Sequence, residues 1–402
     1  MKYSAQEVKQ YVEETGVKFI RLAFCDIYGR QKNVSIMPNE LDRAFTCGVA
    51  IDASAIAGFG DESRSDLFLR PDPSTLADLP WRPENGRVVR MFCDVTRPDG
   101  EVLETDGRNI LKRAVADAGA AGCSFAFGSE IEFYLFRLDE YGNRTFQPHD
   151  NAGYLDIAPE DKGENVRREI CLTLEQMGIA PESSHHEEGP GQNEIDFRYS
   201  DPLTAADNAV TFCAVVRTIA ARNGLYADFS PKPLPHQPGS GMHINISART
   251  SGGDPMPAVI AGIMDKISEM TVFLNPREDS YARLGGSKAP GYISWSSENR
   301  SQLIRIPAAV GEYRRAELRS PDPAANPYLA FALLIRAGLY GIGHGLSLPA
   351  PADFNLYTAG PELLSRYEKL PATLAQARQI SAASSFVAEH LPASIIAAYC
   401  GQ

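Results

Sequence analysis

The sequence predicts an α+β protein of two unequal units, and three observations carry that reading. Its 402 residues exceed the usual span of one domain. Runs rich in β-branched and aromatic residues dominate the first hundred positions, at 17–24, 33–36 and 87–95. Beyond Pro98-Asp-Gly100, helical spacing and strand alternation mix. The boundary is therefore expected near residue 100, giving a small domain 1–100 and a larger domain 101–402.

The elements follow in order. Ser4 and Glu7 form a capping-box pattern, and Val8, Tyr11 and Val12 supply the apolar stripe of a short helix that Gly16 ends. Residues 17–24 and 33–36 read as a hairpin about a turn at Asp26-Ile-Tyr-Gly29, and 87–95 as a further strand. A helix is expected over 108–121, a strand over 124–136, a helix over 165–177 and a strand over 193–199. The Ala-rich stretch 204–223 reads as a long helix and 323–345 as a buried one, while Pro, Gly and Ser collect at 230–241 and 285–291 in loops of the kind that carry function.

Composition narrows the function. With 44% hydrophobic and 22% charged residues the chain can bury a core, which excludes disorder and fibrous repeats. A formal charge of −12 should repel nucleic acid and anionic membrane, so neither is expected as a partner. Seven scattered cysteines without a CxxC pair argue against a disulfide framework or a thiolate zinc site. No signal-type apolar run opens the chain and no unbroken apolar stretch of membrane-spanning length occurs, so a cytoplasmic location is expected.

Four segments carry chemistry. In Gly128-Ser-Glu-Ile-Glu-Phe-Tyr-Leu-Phe136 the two-residue period of a strand puts Glu130 and Glu132 on one face, with Ile131, Phe133 and Leu135 on the other. Like charges that close repel unless a cation or proton lies between them; an exposed polar edge is the plainer alternative. In His185-His-Glu-Glu-Gly-Pro-Gly-Gln-Asn-Glu194, a Gly-Pro-Gly turn can bring Glu187 back to Glu194. Gly239-Ser-Gly-Met-His243 combines close backbone approach with a possible imidazole ligand. Between Arg283 and Arg319, seven basic residues (Arg283, Lys288, Arg300, Arg305, Arg314, Arg315, Arg319) face three acids (Glu298, Glu312, Glu317), a local +4 that calls for anions such as a nucleotide or a carboxylic acid.

Together with SPKP, DSYARL, ENRSQLIRIP, AELRSPDPAANPYLAFALLIRAGLYGI and NLY, these segments resemble the glutamine synthetase family from end to end, and VKFIRLAFCDIYGRQKNVSI with IDASAIAGF resembles its small N-terminal domain. The resemblance implies an N-terminal β-grasp domain, a catalytic domain with a curved antiparallel sheet, and a homo-oligomeric ring, a dodecamer, with active sites between subunits. It implies a Mg²⁺ or Mn²⁺ pair, with Glu132, Glu187 and Glu194 on one ion and Glu130, His243 and Glu317 on the other. Arg300, Arg305 and Arg315 match positions that handle the phosphates of ATP, Glu182 and Tyr199 match the nucleotide pocket, and Gly239, Arg283 and Arg319 match the glutamate site. The implied chemistry is phosphorylation of the glutamate side-chain carboxylate by ATP and attack of an amine on the acyl phosphate. Asp52, from the adjacent subunit, would take the amine's proton.

Departures from the family pattern bear on the acceptor. Lys288 stands where a flap glutamate clamps ammonium, in a loop Gly285-Gly286-Ser287 that is one residue shorter. A cation there repels ammonium, unless it simply turns to solvent. Pro238, Asn245 and Glu312 replace an asparagine, a histidine and a lysine, and Tyr357 matches an adenylylated tyrosine without its flanking residues. Three readings stay open: a glutamate–amine ligase for an organic amine, a glutamine synthetase using ammonia, and a non-catalytic member serving assembly or regulation.

Overall fold

The computed structural model describes residues 3–61, 63–81, 86–286, 288–309, 311 and 314–401. Ser287 and Glu312 lie outside the described residues. The chain opens with the capped helix Ala5–Glu14, in which Glu7 and Ser4 exchange the two bonds of the capping box. Gly16 follows in the left-handed region, with φ 65°.

The first sheet contains β1 (Phe19–Cys25), β2 (Gln31–Ile36), β3 (Val49–Asp52), β4 (Asp66–Pro71), β5 (Ala77–Asp78) and β6 (Val88–Thr96), in the order β2-β1-β6-β4-β3 with β5 on β6. The hairpin β1–β2 turns where Asp26 Oδ1 accepts the amides of Tyr28 and Arg30, each at 3.0 Å. β1 and β6 pair in parallel, so the first and last long strands lie side by side.

Among the described residues the second sheet has nine strands: β7 (Cys123–Leu138), β8 (Arg144–Pro148), β9 (Pro181–His186), β10 (Gln192–Phe197), β11 (Leu225–Asp228), β12 (Met242–Thr250), β13 (Trp295–Ser297), β14 (Ile304–Ile306) and β15 (Ala316–Leu318). Its path runs β13-β14-β15-β12-β7-β10-β9, with β8 and β11 also on β7. Among the described residues the pairs are antiparallel, as expected, with β13–β14 at the edge parallel.

One face of this sheet is apolar. Ile131, Phe133 and Leu135 are fully buried, and Phe127 stacks on Phe331 of helix Pro327–Gly343 at 4.5 Å between ring centroids. That helix packs closely on Met256–Leu274, where Gly262 and Gly341 let the backbones touch. Helix Pro202–Arg222 is long and apolar enough by composition to cross a membrane, and 61% of its apolar window is buried inside the protein. The helix Gly107–Ala120 carries Arg108, which bonds Asp72 and Asp94 of the first sheet's domain at 2.8 Å each and Asp207 at 3.1 Å. This buried ionic knot ties the first sheet to the helices Gly107–Ala120 and Pro202–Arg222.

Candidate active site

The other face of the second sheet collects acids. Strand register sets them side by side: Glu194 opposite Glu132 and Asp196 opposite Glu130 across β10–β7, His243 opposite Glu130 across β12–β7, and Glu317 opposite Asn245 and Arg305 across β15. Glu130, Glu132, Glu194, Asp196 and His243 share one face because each strand alternates with a period of two. Glu187 follows β9, and its amide bonds Gln192 O at 2.9 Å, so the Gly189-Pro-Gly191 turn does return it to Glu194.

Two groupings have carboxylate and imidazole atoms all within 4.8 Å of one another and contain the expected ligands: Glu130 with His243 and Glu317, and His185 with Glu187 and Glu194. Glu132 groups in the same way with Glu194 and His243. His243 Nδ1 lies 3.4 Å from Glu130 and 3.6 Å from Glu317.

The electrostatics mark unbalanced charge. Burial, then Asp196, Glu132, Glu130 and Glu187, push the Glu194 carboxyl well above the carboxylate range. Burial also raises Glu132, and burial with Glu130 lifts Asp196 to about 6. Glu130 differs: burial raises it, but the hydrogen bond and charge of His243 and the bond from Asn245 draw it down to about 2. The five carboxylates and two imidazoles of these groupings suit a hard divalent cation such as Mg²⁺ or Mn²⁺, and too little soft donor is present for a thiolate-type metal.

The basic residues sit around this face. Arg305 Nη1 bonds Glu317 at 2.6 Å, and Arg319 bonds the other Glu317 oxygen. Each keeps a buried Nε without a hydrogen-bond partner among the described residues, an orphaned donor that an incoming anion would satisfy. Arg283 is buried against the glycines of the 239–241 turn and bonds Ser320 O at 2.7 Å and Arg319 O at 3.2 Å. A side chain at Gly241 would lie 2.6 Å from Arg283 Nη2 and 2.8 Å from His243 Nε2, which explains the glycine there, and Gly239 meets the Arg283 stem in the same way.

Glu182, Tyr199 and Arg315 line one small cavity with Gly128, Glu130, Asp196 and Asn245, adjoining the acids. Arg300 is exposed and lines a separate cleft of about 960 Å³ with Gly285, Gly286, Lys288 and Tyr357. Asp52 lies apart on the edge strand β3, fully exposed, with its carboxylate on Ser54 Oγ at 2.7 Å. Lys288 has φ 64° and its ammonium is 2.8 Å from Glu188, next in sequence to Glu187. The Lys288 side chain thus pairs with the acid loop while remaining 54% exposed.

Four further residues of this site were given no role from the sequence. Asp196 is two positions after Glu194 on the same strand face, a period-two signal that was available. His185 bonds Glu187 at 2.9 Å, Gln192 Nε2 reaches Glu132 at 3.2 Å, and Asn245 bridges Glu130 at 2.7 Å to Arg315 at 2.8 Å. The Gln192 and Asn245 contacts depend on inter-strand register, which the sequence does not display, whereas the His185–Glu187 contact is local.

Comparison with known proteins agrees with this geometry. The family description "Glutamine synthetase, catalytic domain" matches residues 104–402, and "Glutamine synthetase, beta-Grasp domain" matches 16–98. A glutamine synthetase of Clostridium saccharobutylicum is 46% identical over 370 residues, covering 89% of this chain and 84% of the relative. One from Methanosarcina mazei is 45% identical over 412 residues, covering 98% and 92%. Among solved structures, GmaS in complex with ADP superposes with a TM-score of 0.88 at 28% identity, covering 98% of this chain and 93% of that one. Plasmodium falciparum glutamine synthetase shares the fold, with a TM-score of 0.87 at 22% identity over 100% of this chain and 95% of that one. Sequence and architecture agree along the whole chain: it belongs to the glutamine synthetase family and has that family's β-grasp and catalytic domains.

Proposed function

We propose that this ATP-dependent ligase phosphorylates the γ-carboxylate of glutamate and transfers the γ-glutamyl group to an organic primary amine. Lys288 carries the choice of acceptor: it puts a cation where a carboxylate would hold ammonium, and its pairing with Glu188 brings that cation beside the acid loop.

The residues fit the roles the chemistry needs. Glu130, Glu132, Glu187, Glu194, His243 and Glu317 would hold two divalent cations, which when bound neutralise the phosphates of ATP and the charge of phosphoryl transfer. Arg305, Arg315 and Arg300 would bind the phosphates, with Glu182 and Tyr199 at the nucleotide. Arg283 and Arg319, with the Gly239 backbone, would orient glutamate so that a carboxylate oxygen meets the γ-phosphorus. That oxygen takes the phosphoryl group and ADP leaves; the amine nitrogen then attacks the acyl carbon, the C–O bond to phosphate breaks, and Asp52 of an adjacent subunit takes the proton. Hydrogen bonds from Ser54 hold the Asp52 carboxyl below its usual range.

This reading includes a homo-oligomeric ring, a cytoplasmic location and a domain boundary near residue 100, which the gap between the matched segments supports. Ammonia as the acceptor is the second reading, favoured by relatives at 45–46% identity that are named glutamine synthetase. The test is ATP-dependent phosphate release with glutamate across ammonium, alkylamines, polyamines, aromatic amines and amino acids. The expected result is a higher kcat/KM for an organic amine than for ammonium; ammonium winning by tenfold or more would replace the amine reading with glutamine synthesis.

A further inference from the structure

The reverse side of the catalytic sheet holds a second concentration of charge. A cavity of about 950 Å³ opens between β1, β2 and β6 of the first sheet and helix Pro202–Arg222 with β11 of the second domain. It reaches Ile131, whose side chain points away from the acid face that its neighbours Glu130 and Glu132 occupy. Among the described residues seven arginines line it with one carboxylate, Asp228, which Arg144 already engages.

Arg277 is held by Asp279, outside the lining, at 2.7 and 3.0 Å, but Arg30, Arg90, Arg217 and Arg378 have no carboxylate bonded to them among the described residues, a concentration of one sign that favours an anion. Arg90 forms part of the floor and is only 6% exposed. Its polar contact is with the neutral Thr211 hydroxyl at 3.1 Å, its guanidinium lies 4.0 Å from the Phe92 ring centre, and its Nε has no hydrogen-bond partner among the described residues. Burial lowers its pKa to about 10, the cost of a cation held without a bonded carboxylate. At the rim, Arg217 and Arg30 rest on the rings of Phe229 and Tyr28, at 4.8 and 5.6 Å, which leaves their forks available to a ligand. Arg378 adds a fourth guanidinium, bonded at Nε to Tyr399 O at 3.1 Å.

We propose that this cavity binds a small, multiply charged anion through its carboxylate or phosphate groups. Planar guanidinium forks around a pocket match the bidentate geometry of either group, and a ligand there would join the first sheet to the back of β7. It is separate from the catalytic anion sites, which lie on the opposite face of the sheet.

The test is calorimetric titration of the full-length protein, without nucleotide or divalent metal, with citrate as the carboxylate probe and pyrophosphate as the phosphate probe. At least one should bind at millimolar concentration or tighter, and the preferred probe identifies the group recognised. Arg30→Gln/Arg217→Gln, at two exposed rim positions, should weaken that binding at least tenfold, while Mg²⁺-ADP binding stays within twofold and the oligomer stays intact. Arg90→Gln should weaken it too, with its melting temperature reporting any loss of fold. Absence of binding to the wild type, unchanged binding to the rim variant, or loss of binding only together with ring dissociation would overturn the proposal.

Discussion

Two buried groups of charged residues in this protein lead to opposite conclusions. Around Arg108, one guanidinium bonds three carboxylates, Asp72, Asp94 and Asp207, while Lys112 also bonds Asp94 at 2.7 Å and Tyr328 donates to Asp207 at 2.6 Å. On the front of the catalytic sheet, acids face acids, and Arg305 and Arg319 both converge on Glu317. In the first group each of the three carboxylates is bonded to Arg108, which holds two domains together, although burial and the charge of Asp94 lift neighbouring Asp106 to about 7. The second is left short of positive charge, and burial makes that shortage costly enough to push Glu194 toward its neutral form. Local balance of charge, more than the number of charged residues, separates a structural knot from a site awaiting cations.

The largest expected effect breaks the unbalanced group. Glu132→Gln should lower ATP turnover by about 100-fold or more, because an acid that holds the charge-neutralising ions acts in the transition state. Steady-state phosphate release at saturating Mg²⁺ measures it. Full metal-dependent activity in this variant would remove Glu132 from the site.

The balanced group should respond in stability instead. Arg108→Met leaves three carboxylates around an apolar side chain, and about 3 kcal/mol of stability should be lost, the low end for a broken buried pair because Asp72 and Asp94 are partly exposed. A clearly lower melting temperature, with kcat per folded molecule little changed, is the expected pattern. A collapse of kcat in protein of normal stability would mean that the contrast between the groups is wrong.

A third experiment asks whether the site is shared between chains. Asp52→Ala and Glu317→Ala should each be inactive, and dissociating and reassembling them together should restore part of the activity in hybrid rings. No recovery in hybrids of verified composition would place Asp52 outside the neighbour's site. The smallest effect concerns the pair Lys288–Glu188, whose side chains are 54% and 39% exposed. Glu188→Gln should alter the KM for the amine by less than about fivefold, in keeping with an exposed ion pair, and high salt should mask the change.

Much of this organisation was legible in the sequence. Alternation announced the acid face and apolar face of β7, since Glu130 and Glu132 fall between Ile131 and Phe133. Recurrent motifs then marked every acid expected to hold a metal. Strands β13, β14 and β15 were not legible, because three residues are too few to show a period. The bridging role of Asn245 was hidden for another reason: it depends on the pairing of β12 with both β7 and β15. The arginine cavity was equally invisible, since its lining comes from distant segments, each carrying a lone arginine that reads as ordinary surface charge.

The central claim is that the front of the catalytic sheet is a two-cation site, and binding of Mn²⁺ tests it most directly. Electron paramagnetic resonance of free Mn²⁺, titrated into the wild type and into Glu132→Gln/Glu194→Gln, gives stoichiometry and affinity without relying on activity. Two saturable ions per chain in the wild type, with at least one lost in the double variant, is the predicted result. Equal Mn²⁺ binding by the two proteins would contradict the account.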